Sequence, residues 1–190
     1  MAIGLIMGES AIPVLKPNVT QQDALRAFSG RGPTALYWSL RRGPLQRIAG
    51  AYVPFWLYRV RYDLNRTTVQ RWFALDAVKG ALDLFEFPKP PPADALDTIE
   101  TRNFLKPALS EEEGTDRVRD KVLRVIFQQG FFKLRALKVE IERVPMELHM
   151  PYWLGFYGGT GLVRCRVMDA VRRRIEGAKA SAFFEQWLAA

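Results

Sequence analysis

Residues 54–78, PFWLYRVRYDLNRTTVQRWFALDAV, are echoed by residues 151–171, PYWLGFYGGTGLVRCRVMDAV, and this echo constrains the fold more than any other feature of the chain. Pro54, Trp56, Leu57, Asp76, Ala77 and Val78 recur as Pro151, Trp153, Leu154, Asp169, Ala170 and Val171. Phe55 is answered by Tyr152 and Leu75 by Met168. The interval from proline to aspartate is 22 residues in the first stretch and 18 in the second, a difference that four residues of turn would absorb. The pattern predicts an internal duplication.

Each stretch reads as a β-hairpin. Trp56, Tyr58, Val60 and Tyr62 alternate with Phe55, Leu57, Arg59 and Arg61, the period of a strand with one apolar and one mixed face. After the turn residues Asp63-Leu64-Asn65, Val69, Arg71, Phe73 and Leu75 alternate with Gln70, Trp72 and Ala74. In the second stretch Gly158-Gly159-Thr160-Gly161 predicts a tighter turn, because glycine accepts positive φ without a steric cost. Val163, Cys165 and Val167 are then expected inward and Arg164 and Arg166 outward.

Helices are expected ahead of each hairpin. Thr20-Gln21-Gln22-Asp23 has the spacing of a capping box and predicts a helix over 21–29, stopped by Gly30. A second short helix is expected over 34–42, and 45–53 is expected to lead as a strand into the first hairpin. Ser110-Glu111-Glu112-Glu113 is a further capping box, with carboxylates at the positive end of the helix dipole. It predicts a helix over 111–129 with Val118, Val122, Val125 and Ile126 on one stripe and Gly130 as C-cap. From Leu137 the pattern becomes that of a strand, with a phase shift near Arg143 or Pro145 that predicts a bulge. A last helix is expected over 178–188. Met1–Pro17, broken by glycines and prolines, is expected to be an extended arm or edge strand, and 81–87 a further strand. Pro88, Pro90, Pro91 and Pro92 then begin a stiff connection. The expected fold class is therefore α+β, two tandem helix-plus-antiparallel-hairpin repeats: residues 1–87, a Pro-rich acidic linker over 88–109, and residues 110–190.

Composition narrows the functional classes. Of 190 residues, 48% are hydrophobic and 25% charged, an ordinary globular balance, and no apolar run approaches the length of a membrane span. A cytoplasmic location is expected. A single cysteine, Cys165, excludes an intramolecular disulfide and a cysteine-clustered zinc site within this chain; no metal or cofactor is expected. The net charge of +8 is unevenly spread: basic side chains dominate residues 1–82 and 117–190, whereas 83–116 hold nine acidic side chains against three basic. The first reading of such a charge is a solvated basic surface, and the competing one is an anionic partner.

Two family resemblances follow from particular residues. Lys16-Pro17-Asn18-Val19-Thr20, Asp23-Ala24-Leu25 and Gly50-Ala51-Tyr52-Val53-Pro54-Phe55-Trp56 together resemble a block found in uncharacterised bacterial proteins, often downstream of a zinc ribbon. The paired cysteines of such a ribbon are missing. The hairpin ending in a hydrophobic residue and Asp-Ala, followed in the first stretch by Gly80, is similar to the helix-strand-strand PepSY repeat. The second stretch departs from that pattern, with Arg173 where the glycine falls. The resemblance implies a ligand-binding or regulatory module rather than a catalyst, and supplies no site residues.

A catalytic reading would start from Asp76 and Asp169, because a duplicated fold can bring equivalent carboxylates together to share a proton. Their hydrophobic-Asp pattern resembles that of aspartic proteases, but Ala-Val follows where those enzymes need small residues and glycine. The competing reading is an aspartate accepting the amides of its own turn. His149 stands alone without a ligand set, and Cys165 reads as a small core residue. The binding candidates are Trp56, Tyr58, Arg59, Arg61, Arg71, Trp72, Arg164 and Arg166, whose aromatic and arginine interleaving would suit a single-stranded nucleic acid. Against that stands a core of aromatics with arginines around it. The stripe Phe183, Phe184, Trp187 and Leu188 is expected to dock on the core or to form a homodimer contact. The leading expectation is a non-enzymatic binding or assembly module, with a small hydrolase using the two aspartates and a single-stranded nucleic-acid binder as alternatives.

Overall fold

The computed structural model describes residues 9–30, 43–64, 67–128, 138–158 and 164–189. The helix expected over 34–42, the glycine turn at 159–161 and the C-cap at Gly130 lie outside these residues. Among the described residues the protein is a mixed α+β chain with three α-helices: α1 (Gln21–Ser29), α2 (Glu111–Gln128) and α3 (Ala178–Ala189). The strands are β1 (Ser10–Leu15), β2 (Leu45–Leu64), β3 (Thr67–Asp76), β4 (Phe85–Phe87), β5 (Leu96–Thr101), β6 (Val139–Tyr157), β7 (Arg164–Asp169) and β8 (Arg174–Ile175). They are hydrogen-bonded in the order β4–β3–β2–β6–β1–β5, with β7 pairing β6 and β8 pairing β7. None of these helices is long and apolar enough to cross a membrane.

Two compact units divide the chain: residues 1–53, 96–105 and 149–190 in the first, 54–95 and 106–148 in the second. The segments 1–87, 88–109 and 110–190 thus follow the order of the chain, whereas each compact unit draws on both ends of it. The connection is not uniformly a linker, because Ala93–Ala95 form a 3-10 turn and Leu96–Thr101 pair as β5 with β1, from Ser10↔Thr101 to Leu15↔Leu96. The strand expected over 81–87 is shorter, Phe85–Phe87.

In the second unit the β2–β3 hairpin carries α2. Directly opposed residues of an antiparallel pair share a face, so Tyr58↔Phe73, Val60↔Arg71 and Tyr62↔Val69 set one face and Arg59↔Trp72 and Arg61↔Gln70 the other. Tyr58, Val60, Tyr62, Phe73 and Leu75 form a buried cluster with Val118, Val122 and Ile126 of α2, whose 3.6-residue stripe therefore seats on the hairpin. Burial of that stripe is what holds the helix, since each fully buried aliphatic side chain contributes about 1.5–3 kcal/mol. Gly114 lets α2 come close: a Cβ there would lie 2.4 Å from the Tyr58 hydroxyl and 2.9 Å from the Trp56 ring. Ser110 and Glu113 close the capping box, Ser110 N donating to Glu113 at 2.9 Å and Glu113 N to Ser110 Oγ at 3.2 Å.

In the first unit the β6–β7 hairpin carries α1 in the same way. Val19, Ala24 and Phe28 form a cluster with Tyr157, Met168 and Ala170. Here the hairpin supplies the glycine, as a Cβ on Gly155 would meet the Phe28 ring at 2.9 Å. The Trp153 indole donates to Val19 O at 3.0 Å and the Tyr157 hydroxyl to Phe28 O at 2.7 Å, which pins both ends of α1. Thr20 and Asp23 form the reciprocal cap, and the hydrogen bonds from Thr20 hold the Asp23 carboxyl below its ordinary range. The other face of this hairpin is covered by α3: Phe183 and Phe184 are buried, Phe184 lies 5.3 Å from the Tyr152 ring, and Leu188 is exposed.

Candidate functional site

Asp76 and Asp169 occupy the same place in the two hairpins. Phe55 opposes Asp76 and Tyr152 opposes Asp169, and in each case the next alanine amide returns to the proline carbonyl that opens the hairpin: Ala77 N to Pro54 O at 2.8 Å, Ala170 N to Pro151 O at 3.1 Å. Both aspartates are buried. Asp76 Oδ1 accepts from Lys79 N and Gly80 N at 2.9 Å each, and its Oδ2 from Leu82 N at 2.7 Å. Asp169 Oδ1 accepts from Val171 N and Arg172 N at 2.8 Å each, and the Arg172 guanidinium stands 3.7 Å from Oδ2. Each carboxylate is thus held by the backbone of its own turn, where aspartate is favoured for local hydrogen bonding. Both oxygens of Asp76 are thus taken up by three backbone amides.

The turns also receive the chain ahead of each helix. Asn18 N donates to Ala170 O at 2.8 Å in the first unit, and Ala108 N to Ala77 O at 2.8 Å in the second. The segments that make these contacts match each other in sequence. Leu15-Lys16-Pro17-Asn18-Val19-Thr20, with Asp23, is matched by Leu105-Lys106-Pro107-Ala108-Leu109-Ser110, with Glu113. Each block crosses its turn and closes the helix cap three residues later.

The proposed binding strands split by face. Tyr58 is buried under α2, and Trp56 is half-buried there with the Arg143 guanidinium stacked 4.3 Å from its ring centre. That stacked arginine is itself 3.3 Å from Glu111. Among the described residues the buried Tyr58 hydroxyl has no well-formed hydrogen-bond partner, and burial pushes its pKa up to about 12 against a smaller lowering by Arg143 and the Thr115 hydroxyl. Arg59 and Arg61 leave the opposite face and pair with Glu142 and Glu140, the latter at 3.3 Å. Arg71 pairs with Glu86 at 3.2 Å. Trp72 is half-buried and opposes Phe87 of β4. Trp56 and Tyr58 therefore do not share a face with Arg59, Arg61 and Trp72. Beside Arg61, a half-open polar groove of about 220 Å³ is lined by Arg61, Tyr62, Asp63, Thr68, Lys138 and Glu140, with Glu140 shared between Arg61 and Lys138.

On the other hairpin Arg164 is exposed and Arg166 half-buried, flanking the buried Cys165. Burial, with Glu185 nearby, pushes the Cys165 thiol up to about 12, so the thiolate is a negligible species at neutral pH. His149 is buried, its Nδ1 3.2 Å from Pro13 O and its ring edge-on to Phe104. Among the described residues no cluster of three His, Cys, Asp or Glu side chains is placed to hold a metal ion.

The fold and these sites define a mixed α+β protein with antiparallel hairpins, each carrying a capped helix. No family model matches the chain, and no curated protein or solved structure matches it either.

Proposed function

We propose that the chain is a non-enzymatic binding or assembly module, built from two copies of one helix-strand-strand unit and directed to an anionic partner. The observation that carries the non-enzymatic reading is the use of Asp76 and Asp169: both oxygens of Asp76, and Oδ1 of Asp169, hold the amides of their own turns. Support for the copying comes from the matched Leu-Lys-Pro blocks, the identical placement of Phe55↔Asp76 and Tyr152↔Asp169, and the return of an alanine amide to a proline carbonyl in both hairpins. The helix-strand-strand order of each copy is also similar to the PepSY repeat, whose resemblance points to ligand binding.

The anionic partner is supported by the net charge of +8 and by where unneutralised arginine lies. Arg59, Arg61 and Arg71 already face glutamates, whereas Arg164 is exposed and makes no ion pair among the described residues; Arg173 is exposed as well, its charge helping to lower the Asp23 carboxyl without a close ion pair. Retention on a single-stranded oligonucleotide and on heparin, measured against salt, tests this reading. Binding should weaken linearly in log–log form, and Arg164→Ala and Arg173→Ala should each lower the slope by about 1. Failure to bind either polyanion at low ionic strength would remove the anionic partner.

A further inference from the structure

The run of prolines from Pro88 to Pro92 divides the chain into two sides, and neither side completes the α1 or the α2 cluster alone. In the α2 cluster the N-terminal side supplies Tyr58, Val60, Tyr62, Phe73 and Leu75, and the C-terminal side supplies Val118, Val122 and Ile126. In the α1 cluster the N-terminal side supplies Val19, Ala24 and Phe28, and the C-terminal side Tyr157, Met168 and Ala170. The pattern extends beyond the apolar clusters. β1 pairs with β5 across the division, Arg59 and Arg61 with Glu142 and Glu140, and the turn after Asp76 receives Ala108 and Leu109. Helices α1 and α2 are each seated on a hairpin from the opposite side of the prolines.

Contacts of this kind are satisfied equally well by one chain or by two. Only the connection decides which, and this one holds four prolines within 88–92, three of which reach solvent. Proline fixes φ and stiffens the chain, which lowers the effective concentration at which one side meets the other. We propose that two copies of the chain exchange their C-terminal sides about residues 88–95. In the resulting two-fold dimer, α2 of one copy lies on the β2–β3 hairpin of the other, and β5 of one pairs with β1 of the other. The exchanged dimer keeps every contact across the division, so it competes with the closed monomer only through association entropy and the strain of the connection. This inference goes beyond the anionic-partner reading and does not rest on it: oligomeric state and polyanion retention are measured separately and can fail separately.

The register Ser10↔Thr101 supplies the test, because it joins the two sides at exposed and half-exposed positions. The full chain carrying Ser10→Cys and Thr101→Cys is unfolded, refolded at a dilute and at a high protein concentration, oxidised, and examined by non-reducing electrophoresis and light scattering. The expected result is a disulfide-linked dimer whose share rises several-fold with concentration and dominates in a second variant lacking Pro90–Pro92. Two results would overturn the proposal: monomers closed by an intrachain bond at both concentrations, or a dimer whose disulfides are all intrachain, which would be surface association without exchange. If the shortened variant does not fold, the concentration series on the natural connection decides alone.

Discussion

Gly80 and Arg173 hold the same backbone angle, φ +57°, each four residues after a buried aspartate. Glycine enters this left-handed region freely, whereas a side chain there costs on the order of 1–2 kcal/mol. The second turn therefore carries a strain that the first does not.

Exchange of these residues has opposite expected effects. Arg173→Gly should raise stability by up to about 1 kcal/mol, part of the relieved strain being offset by the freedom glycine gains in the unfolded chain. Gly80→Ala should lower it by about 2 kcal/mol, since the φ penalty is joined by a Cβ placed 2.4 Å from Arg117 Cδ. Urea midpoints at unchanged slope measure both. Destabilisation by Arg173→Gly would show that the arginine side chain holds the turn.

Gly114 and Gly155 are the close-approach points of the two helix seats, one on the helix and one on the hairpin. In an exposed helix Gly→Ala stabilises by about 1 kcal/mol. Here the added methyl meets the Tyr58 hydroxyl and the Trp56 ring, so Gly114→Ala should instead cost about 1–3 kcal/mol. Gly155→Ala, against the Phe28 ring, should cost a similar amount. Thermal unfolding of the two single variants checks the sign, and a stabilised Gly114→Ala chain would mean that α2 does not seat as described.

Local patterns in the sequence reached the elements whose causes are local. The capping boxes at Thr20 and Ser110 located α1 and α2 to within a residue, and the period-two alternation after Pro54 and Pro151 located β2, β3 and the strands around Asp169. The matched aspartates were visible as candidates, and in the structure both accept amides of their own turns. What stayed hidden depends on partners distant in sequence. Leu96–Thr101 carries Asp97 and Glu100 and reads as linker, because only its ladder with Ser10–Leu15 makes it a strand. The seating of α1 on Tyr157 and Met168 could not be read from Ala24 and Phe28, since an apolar stripe specifies that a helix is covered and not by which hairpin. The matched Lys16-Pro17 and Lys106-Pro107 blocks were legible but easily overlooked beside the tryptophans.

Asp76 accepts three amides with two oxygens, and an amide side chain cannot do the same. In Asp76→Asn one face of the side chain becomes a donor aimed at buried N–H groups, so the variant should lose on the order of 2–3 kcal/mol. Asp169→Asn should lose less, because both backbone amides converge on Oδ1, while among the described residues the second oxygen accepts no hydrogen bond and has the Arg172 guanidinium 3.7 Å away. Denaturant titration of the pair gives the comparison. Equal, negligible losses would release both carboxylates for another role and reopen the hydrolase reading.

The Tyr58 hydroxyl provides a pH-dependent test of the α2 seat. Burial raises its pKa from 10.0 to about 12, so between these values the unfolded chain has released a proton that the folded chain still holds. Stability from this group is intact below pH 10, falls as pH rises toward 12, and the loss is on the order of 2 kcal/mol. Cys165 acts in the same direction from its ordinary value of 9.0 upward. Tyr58→Phe removes the hydroxyl's share while leaving that of the thiol. At pH 7 the variant should match the parent or exceed it by about 1 kcal/mol, because an unsatisfied buried hydroxyl has been replaced by nothing that needs a partner. At alkaline pH it should retain more of its stability than the parent does. Urea midpoints collected at neutral and alkaline pH separate the two effects, and a Tyr58→Phe chain clearly weaker than the parent at pH 7 would show that the hydroxyl is hydrogen-bonded in the folded protein.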